Sequence, residues 1–257
     1  MVVENNKDTG SQKLSFEIEK KLNGALARAG KIKTPSGEIL TPCFVPVGTK
    51  ATVKGVQMHN LLDLGAQSVL ANTYHLYLQP GENIVEASGG LAKFMNWQKD
   101  NKTLPTWTDS GGFQVLSLGA AYNSGVTKIA TNAQIASKQI EVQVTVDGKQ
   151  ESVVKSSIGQ MAKIDEDGVT FKSYIDGSMH RFTPERSVQI QHALGADIFF
   201  AFDECTSPLA SMEYQKTAMD RTHRWAKRCI NEHEKLGISL ATGKQQAIFA
   251  VVQGGGY

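Results

Sequence analysis

The sequence predicts an α/β fold built on a parallel sheet, and three observations carry that prediction. Several segments repeat one order: a helical stretch, a glycine stop, a short apolar run, then polar or glycine residues where the run ends. The apolar runs are nearly continuous rather than alternating, as strands covered on both faces require. The 257 residues, 40% hydrophobic and 20% charged, are enough to bury a substantial core. A (β/α) barrel and an open doubly wound sheet both satisfy these observations, and the barrel is the preferred reading.

Taken in order, the first 13 residues lack periodicity and are expected to be a disordered tail (1–13), with the barrel part of the chain formed by 14–119 and 160–257. In LLDLGAQSVLANT, Gly65 ends a helix and a strand near Gln67 to Ala71 runs out at Asn72 and Thr73. PTWT reads as another strand. From Ala120 to about Gln160 the rhythm breaks: IEVQVTV alternates, Asp147-Gly148 is a hairpin dipeptide, and KQESVV can return. An inserted β-hairpin region is therefore expected over 120–159. Thr183 then caps a helix with Pro184 at its first position, Val188, Ile190 and Leu194 supply apolar residues, and Gly195 stops it. ADIFFAF and QAIFAVV are read as buried strands.

Composition excludes several classes. No run of about 18 apolar residues occurs, and the polar opening MVVENNKDTGSQK is unlike a secretory signal, so the expectation is a cytoplasmic protein with no membrane contact. Cys43, Cys205 and Cys229 are three in number and widely spaced, which reads as reduced thiols rather than a disulfide framework and offers no C-x-x-C pair. The histidines, among them His75, His180 and His192, show no ligand spacing, so no metal or other cofactor is assigned within this chain. A net charge of +2 permits contact with nucleic acid without announcing it.

In parallel α/β folds the loops after the strands converge on one rigid mouth, where reactive groups gather. Here the apolar runs end in Asn72-Thr73, Asp109-Ser110-Gly111-Gly112, Asp203-Glu204-Cys205 and Gln253-Gly254-Gly255-Gly256. Asp109 suits a base or nucleophile, and Gly111 and Gly112 let backbone N–H groups approach a ligand; an ordinary turn explains the same residues. Phe113 offers a stacking face for a planar base or a core side chain. Asp203 suits two donors on a purine edge or a helix N-cap, and Gln253 offers an amide to a carbonyl oxygen. Arg221, Arg224 and Arg228 share a helical face, either as phosphate binders or, preferably, as a solvated outer surface.

These same strand ends lie in motifs that closely resemble the tRNA-guanine transglycosylase family, in its bacterial form. The match runs through ARAGKIKTPSGEILTPCFVPVGTKATVKGV, ANTYHLYLQPG, GGLAKFMNW and TDSGGFQVLSLG. It resumes at DEDGVTFKSYIDGSMHRFTPERSVQIQHALGADIFFAFDEC and ends in VVQGGGY, covering about residues 25 to 119 and 160 to 257. The resemblance implies a TIM (β/α)8 barrel that binds the anticodon loop of a tRNA, extrudes the wobble guanine and exchanges it through a covalent ribosyl-enzyme for a 7-deazaguanine precursor of queuosine. It implies that Asp109 is the general acid/base and that Ser110 to Phe113 form the substrate loop. It also implies that Asp203 and Gln253, with Gly254 beside them, read the base. Cys205, in the Asp-Glu-Cys pattern, implies a pocket for 7-aminomethyl-7-deazaguanine (preQ1) rather than queuine.

In the family the aspartate nucleophile, the later barrel strands, a basic RNA-docking surface and a zinc site of three cysteines and a histidine lie beyond the position of Tyr257. The expectation is accordingly an incomplete barrel, inactive alone, whose complete form is a homodimer. A non-catalytic tRNA-binding paralogue or partner subunit is the alternative, and a glycoside hydrolase using Asp109 and Asp203 is a third reading.

Overall fold

The computed structural model describes residues 14–115, 141–146, 149–154, 162–207 and 210–253. The tail expected over 1–13, most of the sequence flanking the expected hairpin, and Gly254 lie outside these. The chain forms two compact units, one of residues 1–112 with 183–257 and the other of residues 113–182.

The first unit opens with an antiparallel sheet that the sequence reading did not separate from the barrel: β1 (Ser15–Lys21), β2 (Arg28–Thr34) and β3 (Gly37–Thr41). Its signal is present in the alternation of FEIEKK and in the Ser36-Gly37 turn between two runs. Thr34 Oγ1 closes that turn, accepting from Ser36 N at 3.2 Å and donating to Gly37 O at 2.9 Å. Then come α1 (Met58–Asp63), β4 (Val69–Ala71), α2 (Thr73–Leu78), α3 (Glu82–Ala87) and α4 (Leu91–Phe94). A two-residue ladder of β5 (Gln98–Lys99) and β6 (Lys102–Thr103) leads to β7 (Thr106–Thr108).

The second unit contains the hairpin β8 (Glu141–Val146) and β9 (Lys149–Val154), in register from Glu141↔Val154 to Val146↔Lys149. It also contains a meander of β10 (Ala162–Ile164), β11 (Val169–Lys172) and β12 (Met179–Phe182). Phe171 packs edge-on against Phe182 and flat against His180, and Arg181 clasps Asp165 through bonds of 2.7 and 3.1 Å. The sequence placed everything from residue 160 in the barrel; the second unit instead runs through 182. The reason is local: Asp176-Gly177 turns the chain back on itself, and the meander closes its own antiparallel ladder.

Back in the first unit follow α5 (Pro184–Leu194), β13 (Ile198–Phe200), α6 (Met212–Leu236) and β14 (Ala247–Phe249). Thr183 Oγ1 caps α5 by accepting from Arg186 N at 3.2 Å, and Gly195 ends it in the left-handed region at φ 68°. Ser211 caps α6, whose Ala218, Thr222, Trp225 and Cys229 form one buried stripe at spacings of three and four.

β4, β7, β13 and β14 make a parallel sheet in the order β14-β13-β7-β4, and Val47 adds a parallel bridge to Leu70 on the far side of β4. Each strand thus lies beside its predecessor in the chain, without the reversal that marks a doubly wound sheet. One face carries Trp107, Phe200 and Phe249 in mutual ring contact. On the other, Phe199 packs against His192 of α5 and His233 of α6. The strand starts are tied by buried Asp197, whose Oδ2 accepts from Thr106 N at 3.0 Å. Lys244 bridges Ser36 and Thr103 nearby.

His192 Nε2 and His233 Nδ1 meet at 2.8 Å beneath the α5–α6 contact. Burial, then the neighbouring His233, lower the His192 pKa from 6.5 to about 4, against the opposing pull of Glu232. The folded chain therefore keeps His192 neutral where the unfolded chain protonates it. The resulting stability is complete above pH 6.5 and is lost as pH falls from there toward 4. Urea unfolding across that window should show a loss on the order of 2–3 kcal/mol, and His192→Leu should flatten that part of the profile. An unchanged slope in the variant would assign the loss to other groups.

Candidate active site

Asp109 follows the last residue of β7, and its backbone N–H donates to Ala71 O of β4 at 3.4 Å. Thr108 turns outward, its Oγ1 donating to Gln191 Oε1 of α5 at 2.9 Å, so the pleat aims the next side chain toward the mouth. There the Asp109 carboxylate accepts from three donors: Thr73 N at 2.9 Å, Gly111 N at 3.2 Å and Asn72 Nδ2. Thr73 Oγ1 also donates to the Asp109 carbonyl at 2.5 Å. The carboxylate therefore has a fixed direction before any ligand arrives. Asn72 and Thr73, legible in the sequence only as polar residues after an apolar run, are what fix it.

Asp203 lies three residues beyond β13 and is buried. Its Oδ1 accepts from Ser110 Oγ at 2.9 Å and its Oδ2 from Gln253 Nε2 at 2.6 Å. The carboxylate is thus held between the loop after β7 and the segment after β14. Burial pushes its pKa up, and these two donors pull it back. Ser110 belongs to both halves of the site, because it immediately follows Asp109 and its carbonyl accepts from Ser187 Oγ of α5 at 2.7 Å. Among the two readings left open for Asp203, the helix cap drops out: the next helix begins at Met212, with Ser211 as its cap.

Gly111 adopts φ 79°, and Gly112 passes against the Asp203 segment. Cys205 is half-buried, its thiol pushed up by burial and by the Asp203 charge. Phe113, the first residue of the second compact unit, is 42% exposed, and Gly254 lies outside the described residues.

On the basic face of α6, Arg224 is exposed as a solvated surface requires, whereas Arg221 and Arg228 are taken up by carboxylates of the fold. Arg221 pairs with the buried Glu204 carboxylate, and Arg228 grips Glu185 of α5 with bonds of 2.6 and 2.8 Å. Spacing alone cannot reveal this, since the acidic partners come from other elements. No three His, Cys, Asp or Glu side chains converge as metal donors among the described residues. No helix among them is long and apolar enough to cross a membrane.

A Cβ on Gly112 would lie 2.6 Å from the Asp203 carbonyl oxygen and 3.1 Å from its Oδ1. Backbone on one side and a bonded carboxylate on the other leave it no room. Gly112→Ala is expected to cost roughly 1–3 kcal/mol in urea unfolding by pushing the two strand ends apart. A neutral substitution would show that the ends do not touch.

Known proteins share this arrangement of sequence. A family profile described as Queuine tRNA-ribosyltransferase matches residues 23–159 and 140–257. Proteins named queuine tRNA-ribosyltransferase from Fusobacterium nucleatum and Natranaerobius thermophilus are each 42% identical to it over 244 residues, 95% of this chain. That from Herpetosiphon aurantiacus is 45% identical over 229 residues, 89% of the chain. These alignments take in 51%, 52% and 45% of the three relatives respectively, so the chain spans about half the length of the curated relatives it matches. With nearly all of its residues aligned at this identity, the chain belongs to the queuine tRNA-ribosyltransferase family.

Proposed function

We propose that this chain carries the base-recognising part of an enzyme that exchanges the wobble guanine of a tRNA anticodon for preQ1 in queuosine biosynthesis. The observation that carries the reading is the joining of Asp109 and Asp203 through Ser110 at one mouth. Guanine presents two adjacent donors, N1–H and the exocyclic amino group, beside the O6 acceptor. A fixed carboxylate at Asp203 complements the donors, and the Gln253 amide, which donates to Asp203 in the free protein, turns to O6. Ser110, Gly111 and Gly112 line the base in this reading, Gly111 and Gly112 because bare backbone lets a flat ligand approach closely.

In this reading Asp109 is the general acid/base. A carboxylate from the portion of the relatives outside these 257 residues attacks C1′ of the ribose. The C1′–N9 bond breaks, its electron pair leaves with guanine, and the ribose remains as an ester until the incoming base displaces the carboxylate. Extrusion of the nucleotide is required because the reacting bond is otherwise stacked out of reach. Half-buried Cys205 beside Asp203 supports the smaller preQ1 over queuine. The sequential order of the parallel strands supports a TIM barrel completed by further strands, with zinc held outside the described residues. The complete enzyme is a cytoplasmic homodimer in this proposal, and the 257-residue chain alone binds base without exchanging it.

Labelled guanine in equilibrium dialysis tests the recognition. The chain should bind it, and Asp203→Asn, which turns an acceptor toward the base into a donor, should weaken binding on the order of 10- to 100-fold. Because burial raises the Asp203 pKa, affinity should start to fall with decreasing pH before an ordinary aspartate would protonate. Equal affinity in parent and variant would sink the base-reading role. Incorporation of labelled guanine into tRNA by this chain alone would sink the placement of the nucleophile.

A further inference from the structure

The segment after β13 divides its residues by parity. Phe202 and Glu204 turn to α6, whereas Asp203 between them turns to the mouth. Phe202 N donates to Cys229 Sγ at 3.3 Å, and its ring stacks on Trp225 with centroids 5.1 Å apart. Glu204 N donates to Thr222 Oγ1 at 3.0 Å. The Glu204 carboxylate, with no exposed side-chain surface, accepts from Tyr214 Oη at 2.6 Å and pairs with Arg221. Asp203 faces the other way, to Ser110 and Gln253.

We propose that Glu204, held by Tyr214 and Arg221, is a positioning residue for base recognition: it fixes the direction of the Asp203 carboxylate through the backbone the two residues share. The physical ground is the cost of a buried charge. A carboxylate removed from water is stable only where its partners sit, so Glu204 has one position available, and its neighbour in an extended segment inherits it. Gln253 and Ser110 do not set that direction by themselves, because Gln253 must turn to the ligand and Ser110 then holds only one of the two carboxylate oxygens. Glu204 itself never reaches the mouth. The inference rests on the reading that Asp203 binds the N1–H and amino group of guanine.

The test compares two bases on the same preparation of the 257-residue chain. Hypoxanthine lacks the exocyclic amino group, so the ratio of its Kd to that of guanine reports how well a carboxylate is aimed at both donors. The ratio is independent of the folded fraction, since both ligands see the same folded molecules. Labelled guanine and hypoxanthine are measured by equilibrium dialysis for the parent, Asp203→Asn, Glu204→Gln and Tyr214→Phe, with a thermal melt of each. The expected result is a ratio lowered about tenfold in Glu204→Gln, and by a smaller factor in Tyr214→Phe, which keeps the ion pair and is the milder test of folding. A lowered Tm with an unchanged ratio in both variants, while Asp203→Asn lowers it, overturns the positioning role and leaves base reading intact. An unchanged ratio in Asp203→Asn overturns both.

Discussion

The parallel pairing of β7 with β13 is the constraint from which the site follows. Ile198 lies opposite Trp107 and Phe199 opposite Thr108, across a sequence separation that only a crossover can span. Because parallel strands advance together, the residues that leave their carboxyl ends stay neighbours. Ser110 therefore reaches Asp203, and the Gly112 backbone runs against the Asp203 carbonyl. In an antiparallel pair the same two segments would leave at opposite ends. Strands of three residues form few ladder bonds, and side chains supply the rest. Asp197 binds Thr106 at the start, and Gln191 of α5 holds Thr108 at the end and accepts no slippage, since its Nε2 also donates to Phe200 O at 3.0 Å.

This arrangement separates what stabilises the strand ends from what faces a ligand. The pleat sends alternate residues to opposite sides, so Phe202 and Glu204 are available to α6 while Asp203 is available to the mouth. A buried ion pair adds little net stability compared with apolar packing, but breaking it is costly, and that asymmetry suits a place where direction matters more than energy. Burial and the Glu204 carboxylate hold the Tyr214 hydroxyl up at about 12, keeping it protonated as the donor the pair requires. Cys229 is likewise pushed to about 12 by burial, which makes its sulfur a packed acceptor for Phe202 N rather than a nucleophile.

The second unit obeys different rules. Its strands are antiparallel and close through local turns, so it needs no crossover and no helix cover. The N-terminal sheet β1–β3 is similar in kind. Neither is part of the strand–helix rhythm of the parallel sheet, which explains why a reading tuned to that rhythm passed over β1–β3 and β10–β12.

What the sequence determined by itself is the set of features encoded over short distances. The cap at Thr183, the stop at Gly195 and the apolar strand cores each depend on residues within a few positions, whose backbone preferences act wherever the chain goes. The strand-end rule also placed Asp109, Asp203 and Gln253 at one mouth. The tertiary structure alone decided which of them touch, that Asn72 and Thr73 orient Asp109, and that Arg221 and Arg228 serve Glu204 and Glu185 rather than a ligand. A long side chain finds its partner by position in space, and the partners of these arginines lie on other elements whose approach is set by the packing of α5 and α6 on the sheet.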